Sequence, residues 1–385
     1  MFLIITGIIL FIFLIIVHEY GHFLVAKRNG VDVEEFGIGF PPKIWGKRLG
    51  KGIFEGYYTI NLLPLGGFVK LKGENGEDNE KGSFKLASSK AKLKIMLAGV
   101  AMNLVAAFII LTIVAFFGMP KLINNQFTVA SDTKVSKSEA LINFIDKGSP
   151  ADKAGLKISD NIKSLNGTSV ASQDQLRVLT KTNAGKTVDI TFIRKGTLIT
   201  SKVQLLSAQT VADSLKSNNP KVYLGIETTD YTLVKSTWSS PIVAIGLSLQ
   251  IIKLTIVGLG TTLAHLGSSI GLFVIGHGTQ AKSQASQASQ NVTGPIGVYA
   301  LLSRGSVLGY QFILFIVGLL SLTLAIMNAL PIPALDGGRA FLLVLFKIIK
   351  KPLLPKTEDR IHGTGFAILM ILFVVIAIVD IKRFY

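Results

Sequence analysis

His18-Glu19-Tyr20-Gly21-His22 closes a stretch, Phe2 to Val17, that carries no charge. On a helix His18 and His22 are i and i+4, so both imidazoles project from one face at a spacing that suits a single zinc ion. Glu19 is rotated about 100° away, where it reaches a water on the metal rather than the metal. Ionisable groups in a membrane span are costly, and they pair, line a cavity or bind something. This is the HExxH arrangement that activates water in zinc-dependent hydrolysis. Two of the five histidines fall in this motif; His265, His277 and His362 stand alone and read as ordinary structural or surface residues. The chain has no cysteine, so thiolate ligands and disulfides are excluded. A catalytic zinc takes three protein ligands and keeps one position open, which leaves a carboxylate as the third. Asp336 stands out, just beyond a helix that Pro331 and Pro333 break, although an acid at the end of a span is common.

These residues need a membrane scaffold to position them. Of the 385 residues, 49% are hydrophobic, and the mean hydropathy is +0.51, outside the range of soluble proteins. Stretches at 1–25, 95–118, 311–338 and 364–385 approach or exceed the ~20 residues that cross a hydrocarbon core. The expected fold is a polytopic α-helical membrane protein with four transmembrane helices. The first stretch lacks a basic n-region and a small-residue cleavage site, so it reads as a retained span and not a signal peptide. A fifth stretch at 241–276 is interrupted by Lys253, His265 and several glycines; it reads as interfacial or re-entrant, and 241–310 as a whole as an interfacial amphipathic segment and linker. The loops 26–94 and 339–363 are rich in Lys and Arg, which makes both cytoplasmic and both termini extracytoplasmic. His22 and Asp336 then lie at one depth on one side. The net charge of +17 is spread among acids with no nucleic-acid motif, so anionic lipid is the expected partner and nucleic acid is not.

The segment 119–240 reads as an extracytoplasmic α+β region. Within about 126–206, strands are expected at Ala140–Ile145, Ile162–Leu165 and Val188–Ile193, and a helix at Gln173–Thr182. Gly148-Ser149-Pro150, Gly155-Leu156, Ser159-Asp160-Asn161-Ile162 and Asn166-Gly167 together resemble a PDZ domain, with Ser159 where that family usually has glycine. Such a domain adds an extended peptide to a sheet edge. In the cytoplasmic loop, Phe36–Phe40, Tyr57–Leu63 and Pro64–Val69 read as membrane-associated β-hairpins. The edge at Gly67, Phe68 and Val69 is placed to hold an extended substrate. Residues 279–291 read as a flexible Ser/Ala/Gln linker, followed by a turn from Val292 to Gly297.

With HEYGH at the end of the first span, Asn328-x-x-Pro331-x-x-x-Leu335-Asp336-Gly337 at the end of the third and a PDZ-like segment between them, the chain resembles the site-2 protease family of intramembrane zinc proteases. The likeness is to its bacterial regulator-of-sigma-E type, with a single PDZ domain. It extends to Gly37–Phe40, Pro64–Gly67, Gly294–Ile296 and Asn103; Val100 stands where relatives often have proline. The resemblance implies that His18, His22 and Asp336 bind Zn2+, that Glu19 is the catalytic acid/base, and that Asn328 touches substrate, with Pro331 helping to hold it extended. It also implies a bacterial inner-membrane enzyme whose substrates are single-span membrane proteins already shortened outside, such as anti-sigma factors or signal-peptide remnants. Two alternatives stand beside it. A catalytically inactive PDZ-bearing scaffold would leave HEYGH idle, and a zinc-dependent transporter would need more polar residues in the second and fourth spans.

Overall fold

The computed structural model describes residues 2–74, 80–194, 196–214, 221–275, 277–290, 294–305 and 308–384. The chain divides into a helical unit, Met1–Ile113, Pro241–Leu302 and Ile313–Tyr385, and a sheet unit, Val114–Ser240 with Ser303–Phe312.

The first helix, α1 (Phe2–Arg28), contains HEYGH in its second half. It leads into a ribbon of two long strands, β1 (Val33–Leu49) and β2 (Gly56–Leu71). Phe36, Gly37 and Ile38 of β1 pair on one side with Tyr58, Thr59 and Ile60, and on the other with Val69, Phe68 and Gly67. The ribbon therefore folds over into four strand segments, ordered 67–71, 33–40, 56–63 and 43–49. Glycine makes the folding possible. Gly39 and Gly66 have φ of +79° and +100°, and a Cβ on Gly39 would lie 2.6 Å from the Leu63 carbonyl oxygen. Then α2 (Ser89–Met96), capped by the Ser88 hydroxyl, runs almost without a break into α3 (Ala98–Phe117), since Leu97 and Ala101 both keep their hydrogen bonds to the carbonyl four residues back.

The sheet unit follows in chain order as β3 (Met119–Pro120), β4 (Lys134–Ile145), α4 (Pro150–Lys153), β5 (Asn161–Leu165), β6 (Thr168–Ser169), α5 (Gln173–Thr182), β7 (Thr187–Arg194), β8 (Thr197–Gln204), α6 (Ala208–Ser214) and β9 (Ile226–Lys235). The strand order is β3-β9-β4-β5-β7-β8, with β6 beside β5. The runs read from sequence as strands lie in β4, β5 and β7, and the expected helix is α5. Ile142, Ile162, Ile190 and Phe192 are fully buried in its core. Ser159 adopts φ +72°, which shows why glycine suits that position: a side chain pays steric energy in the left-handed region. Asp160 beside it is buried and takes a two-pronged hydrogen bond from Arg194, at 2.7 and 2.6 Å.

The remaining helices are α7 (Ser240–Val274), α8 (Gly278–Gln290), α9 (Pro295–Gly305), α10 (Tyr310–Ala329), α11 (Asp336–Ile348) and α12 (Pro355–Phe384). Among the described residues five helices are long and apolar enough to cross a membrane, in α1, α2–α3, α7, α10 and α12. The chain is thus a multi-pass membrane protein, and α7 meets the same criterion as the four expected spans. Its glycines, Gly258, Gly260, Gly267 and Gly271 among them, do not interrupt the helix, which runs from Ser240 to Val274. The Ser/Ala/Gln tract is the helix α8 rather than an irregular linker, which follows from the helix propensity of its Ala, Gln and Lys residues. Asn291, Val292 and Thr293 fall outside the described residues; the rest of the expected turn opens α9, with Pro295 at its first position.

Contacts within the helical unit set the helix directions. Gly7, near the start of α1, lies against Ile313 of α10 and Leu302 of α9. Gly318 lies against Ile110 and Leu111 of α3, and the Ser321 hydroxyl donates to the Asn103 carbonyl oxygen. Gly365 of α12 lies against Pro333, while Asp380 accepts the Gly294 and Gly297 N–H groups. Accordingly α10 runs parallel to α1 and antiparallel to both α3 and α12.

Candidate metal centre

Packing on one side of α1 turns the other side inward. Tyr20 and Phe23 stack at 5.6 Å between ring centres, and Phe23 meets Phe36 and Tyr58 of the ribbon, each at 5.8 Å. The opposite face presents His18 and His22 to α2–α3. The two helices come close because neither has a side chain where they cross. A Cβ on Gly21 would sit 2.6 Å from the Ala98 carbonyl oxygen, and one on Gly99 would sit 2.5 Å from both His18 Cε1 and His22 Nε2. His22 Nδ1 donates to the Ile95 carbonyl oxygen at 2.7 Å. A carbonyl only accepts, so Nδ1 holds the proton and Nε2 is free to act as a ligand.

The connection between α10 and α11 delivers the carboxylate. Pro331 and Pro333 end α10, and Ala334 takes φ +80°. The Ala334 N–H donates to His362 Nδ1 at 2.9 Å. Asp336 opens α11. The two glycines after it are required, since a Cβ on Gly337 would lie 2.4 Å from the Leu330 oxygen and one on Gly338 2.1 Å from the Ile332 oxygen. One turn further on, Arg339 pairs with Glu74 and lies 3.9 Å from Glu358. Burial works against the guanidinium charge, and the Glu74 carboxylate more than offsets it, raising the pKa of Arg339 above its ordinary value.

His18, His22 and Asp336 form the cluster that these two pieces of structure bring together. Asp336 Oδ2 lies 3.0 Å from His18 Nε2 and 3.2 Å from His22 Nε2, and the two imidazole nitrogens are 3.3 Å apart. Bonds of about 2.0–2.1 Å at tetrahedral angles place neighbouring ligand atoms about 3.3 Å apart. The triangle matches that edge length. Asp336 Oδ2 is buried and has no hydrogen-bond partner, so this oxygen is left for a cation. Donor set, size and the orphaned oxygen all fit zinc.

Glu19 points elsewhere, as its offset on the helix requires. Its Cγ would be 3.5 Å from a Cβ on Gly67, so the ribbon edge expected to hold substrate runs beside it. The other side of 67–71 pairs with no strand among the described residues. Phe68 lies across Gly37 and stacks on Phe40 at 6.5 Å, and Val69 is half-buried against the α1 aromatics. Asn328 is half-buried near the end of α10 and Pro331 is exposed; neither joins the converging trio.

No residue type or spacing pointed to Ile95, which acts through its backbone, or to Gly99, whose contribution is an absent side chain. His362, read as an ordinary structural or surface residue, has a structural part: it accepts the Ala334 N–H in the connection that leads to Asp336.

A family profile described as Peptidase family M50 matches residues 6–372. The chain is 31% identical to a protein of Clostridium acetobutylicum named "Putative zinc metalloprotease", over 99% of this chain and 97% of that one. It is 26% identical to Zinc metalloprotease RasP of Shouchella clausii, over 98% of each. A clostridial relative from Clostridium perfringens with the same descriptive name is 30% identical, again over 98% of each.

Proposed function

The chain belongs to peptidase family M50 and is a metalloprotease, and from that premise we propose that it cuts peptide bonds inside the membrane-spanning segments of single-span proteins, with zinc at His18, His22 and Asp336. The observation that carries the reading is the 3.0–3.3 Å triangle of these three side chains with Glu19 beside it. Zinc held there supplies Lewis acidity and lowers the pKa of a coordinated water towards ~7.

The chain's own residues do the rest. Glu19, kept off the metal by the helix offset, takes the proton from the attacking water and returns it to the leaving amine. A helical peptide bond is shielded by its neighbours, so substrate must be extended before it is cut. The unpaired edge at Gly67, Phe68 and Val69 holds it as an added strand, and Gly67 brings that strand beside Glu19. Asn328 hydrogen-bonds the substrate backbone, and Pro331 helps to hold the substrate extended.

The helix directions support four net crossings. Both α3 and α10 have one end at the start of α1, so the chain between Phe117 and Tyr310 makes an even number of crossings. Between α7 and α10 the helices among the described residues are α8, polar and 13 residues long, and α9, 11 residues long. Neither can return a chain across about 30 Å of hydrocarbon, which favours α7 as an interfacial helix. With the basic loops inside, the metal centre lies towards the cytoplasm and the sheet unit outside. That unit is PDZ-like in its motifs; we assign it the role of admitting substrates already shortened on the outside, anti-sigma factors or signal-peptide remnants among them. The membrane is the bacterial inner membrane, and anionic lipids partner the basic loops.

The test is cleavage of a model single-span substrate by purified protein in proteoliposomes. Wild type should cut within the span, and Glu19→Gln should lower the rate by about 10²–10⁴-fold while keeping its zinc. Full cleavage by Glu19→Gln would refute the assigned role; no cleavage by wild type, with partners still captured, would favour a scaffold.

A further inference from the structure

Three residues of α2–α3 face the two histidines at successive turns, Ile95, Gly99 and Asn103, spaced i, i+4 and i+8. On the antiparallel helix α1, His22 meets Ile95 and His18 meets Asn103, with Gly99 leaving room between them. Ile95 already fixes the tautomer of His22. Asn103 is fully buried, and the end of its amide assigned as Nδ2 lies 3.1 Å from His18 Nδ1, so an oxygen there requires the amide turned over. Its backbone is tied down by Ser321. The other end of the amide has no hydrogen-bond partner, so nothing except the imidazole determines which way the amide turns. Nitrogen and oxygen of an amide are interchangeable in shape, and the hydrogen-bond network decides between them.

We propose that Asn103 is a positioning residue for the metal: its side-chain oxygen accepts the Nδ1 proton of His18, fixing the tautomer that leaves Nε2 free to bind zinc. A histidine that uses Nε2 as a ligand keeps its proton on Nδ1, and that proton needs an acceptor. Asn103 is the acceptor within reach. The two imidazoles are then held by the same device, a carbonyl oxygen on the neighbouring helix, one from the backbone at Ile95 and one from a side chain eight residues later. This inference rests on the zinc reading above and extends it to the residue that orients one ligand.

The test measures zinc affinity, with zinc ions alone in competition with a chromogenic chelator, for the full-length protein in detergent. Asn103→Leu should weaken zinc binding by about 10–100-fold, and Asn103→Asp, which keeps an acceptor, should bind at least as tightly as wild type. Thermal unfolding without metal separates positioning from packing. Burying leucine in place of an amide with one unpaired end should not lower the metal-free midpoint, whereas a residue needed only for packing would lower it. As a second readout that needs no variant, ¹⁵N-histidine spectra of zinc-loaded wild type should show His18 protonated at Nδ1. Wild-type affinity in Asn103→Leu, or equal loss in the Leu and Asp variants, would overturn the proposal and leave the zinc reading standing. Wild-type protein that takes up no zinc would overturn both.

Discussion

At the residue scale the centre depends on what two glycines lack as much as on what the ligands supply. A Cβ on Gly99 would lie only 2.5 Å from atoms of both imidazoles, and one on Gly21 only 2.6 Å from the Ala98 carbonyl oxygen. Overpacking of this kind costs about 1–3 kcal/mol when neighbours can yield, and the Gly99 neighbours are the ligands themselves. Gly99→Ala should therefore lose bound zinc and activity together while the sheet unit keeps its unfolding midpoint; a variant with full zinc content would show that the helices are not pressed together as described. The proposed ligands were legible in the sequence because chemistry fixes their type and spacing: two histidines four apart on an apolar helix, and an acid behind two prolines with no cysteine to compete. Ile95 was not legible, because any residue has a carbonyl. His362 was not either, since its partner is the backbone N–H of Ala334, in a turn whose shape only the fold reveals.

At the element scale the proposed metal ligands sit on helices that are steadied from outside the span. Glu74 at the end of the ribbon and Glu358 at the start of α12 hold Arg339, one turn after Asp336. The Arg339–Glu74 pair is partly exposed, so its contribution is discounted to about 1 kcal/mol. In a double-mutant cycle, Glu74→Ala and Arg339→Ala should each lower kcat/KM, with a coupling of that size; additive losses would mean that the pair does not act as a unit. In the sheet unit Asp132 plays the corresponding part for the start of α7, accepting from backbone and hydroxyl groups of both Thr237 and Ser239. Burial alone would raise its carboxyl, and these hydrogen bonds more than reverse that, holding it well below the usual carboxylate range. A depressed folded pKa stabilises above the unfolded value near ~3.9 and fades as pH falls through the folded one. Asp132→Ala should thus lower the midpoint of the sheet unit at neutral pH, and the gap to wild type should begin to narrow below about pH 4 and go on narrowing as pH falls further; a gap independent of pH would exclude the carboxylate as its source. Strands β4, β5 and β7 could be read from alternation and turn residues. The helix α8 could not, because a repetitive Ser/Ala/Gln composition hides good helix formers.

At the scale of the whole molecule, length and hydropathy identify spans without saying which of them cross. Ser240–Val274 has the apolarity of a span, and only the neighbours of α9, α10 and α12 argue that it does not change the side on which the chain emerges. The first and third expected spans, read as ending at one depth, carry His22 and Asp336 to within 3.2 Å of each other. The likeness to peptidase family M50 runs through residues 6–372 and so covers both of these ends. The most direct test of the metal centre is the zinc content of purified protein, wild type beside Asp336→Ala and His22→Ala. The account predicts about one zinc per wild-type chain and its loss in both variants; zinc retained in Asp336→Ala, or absent from wild type, would contradict it.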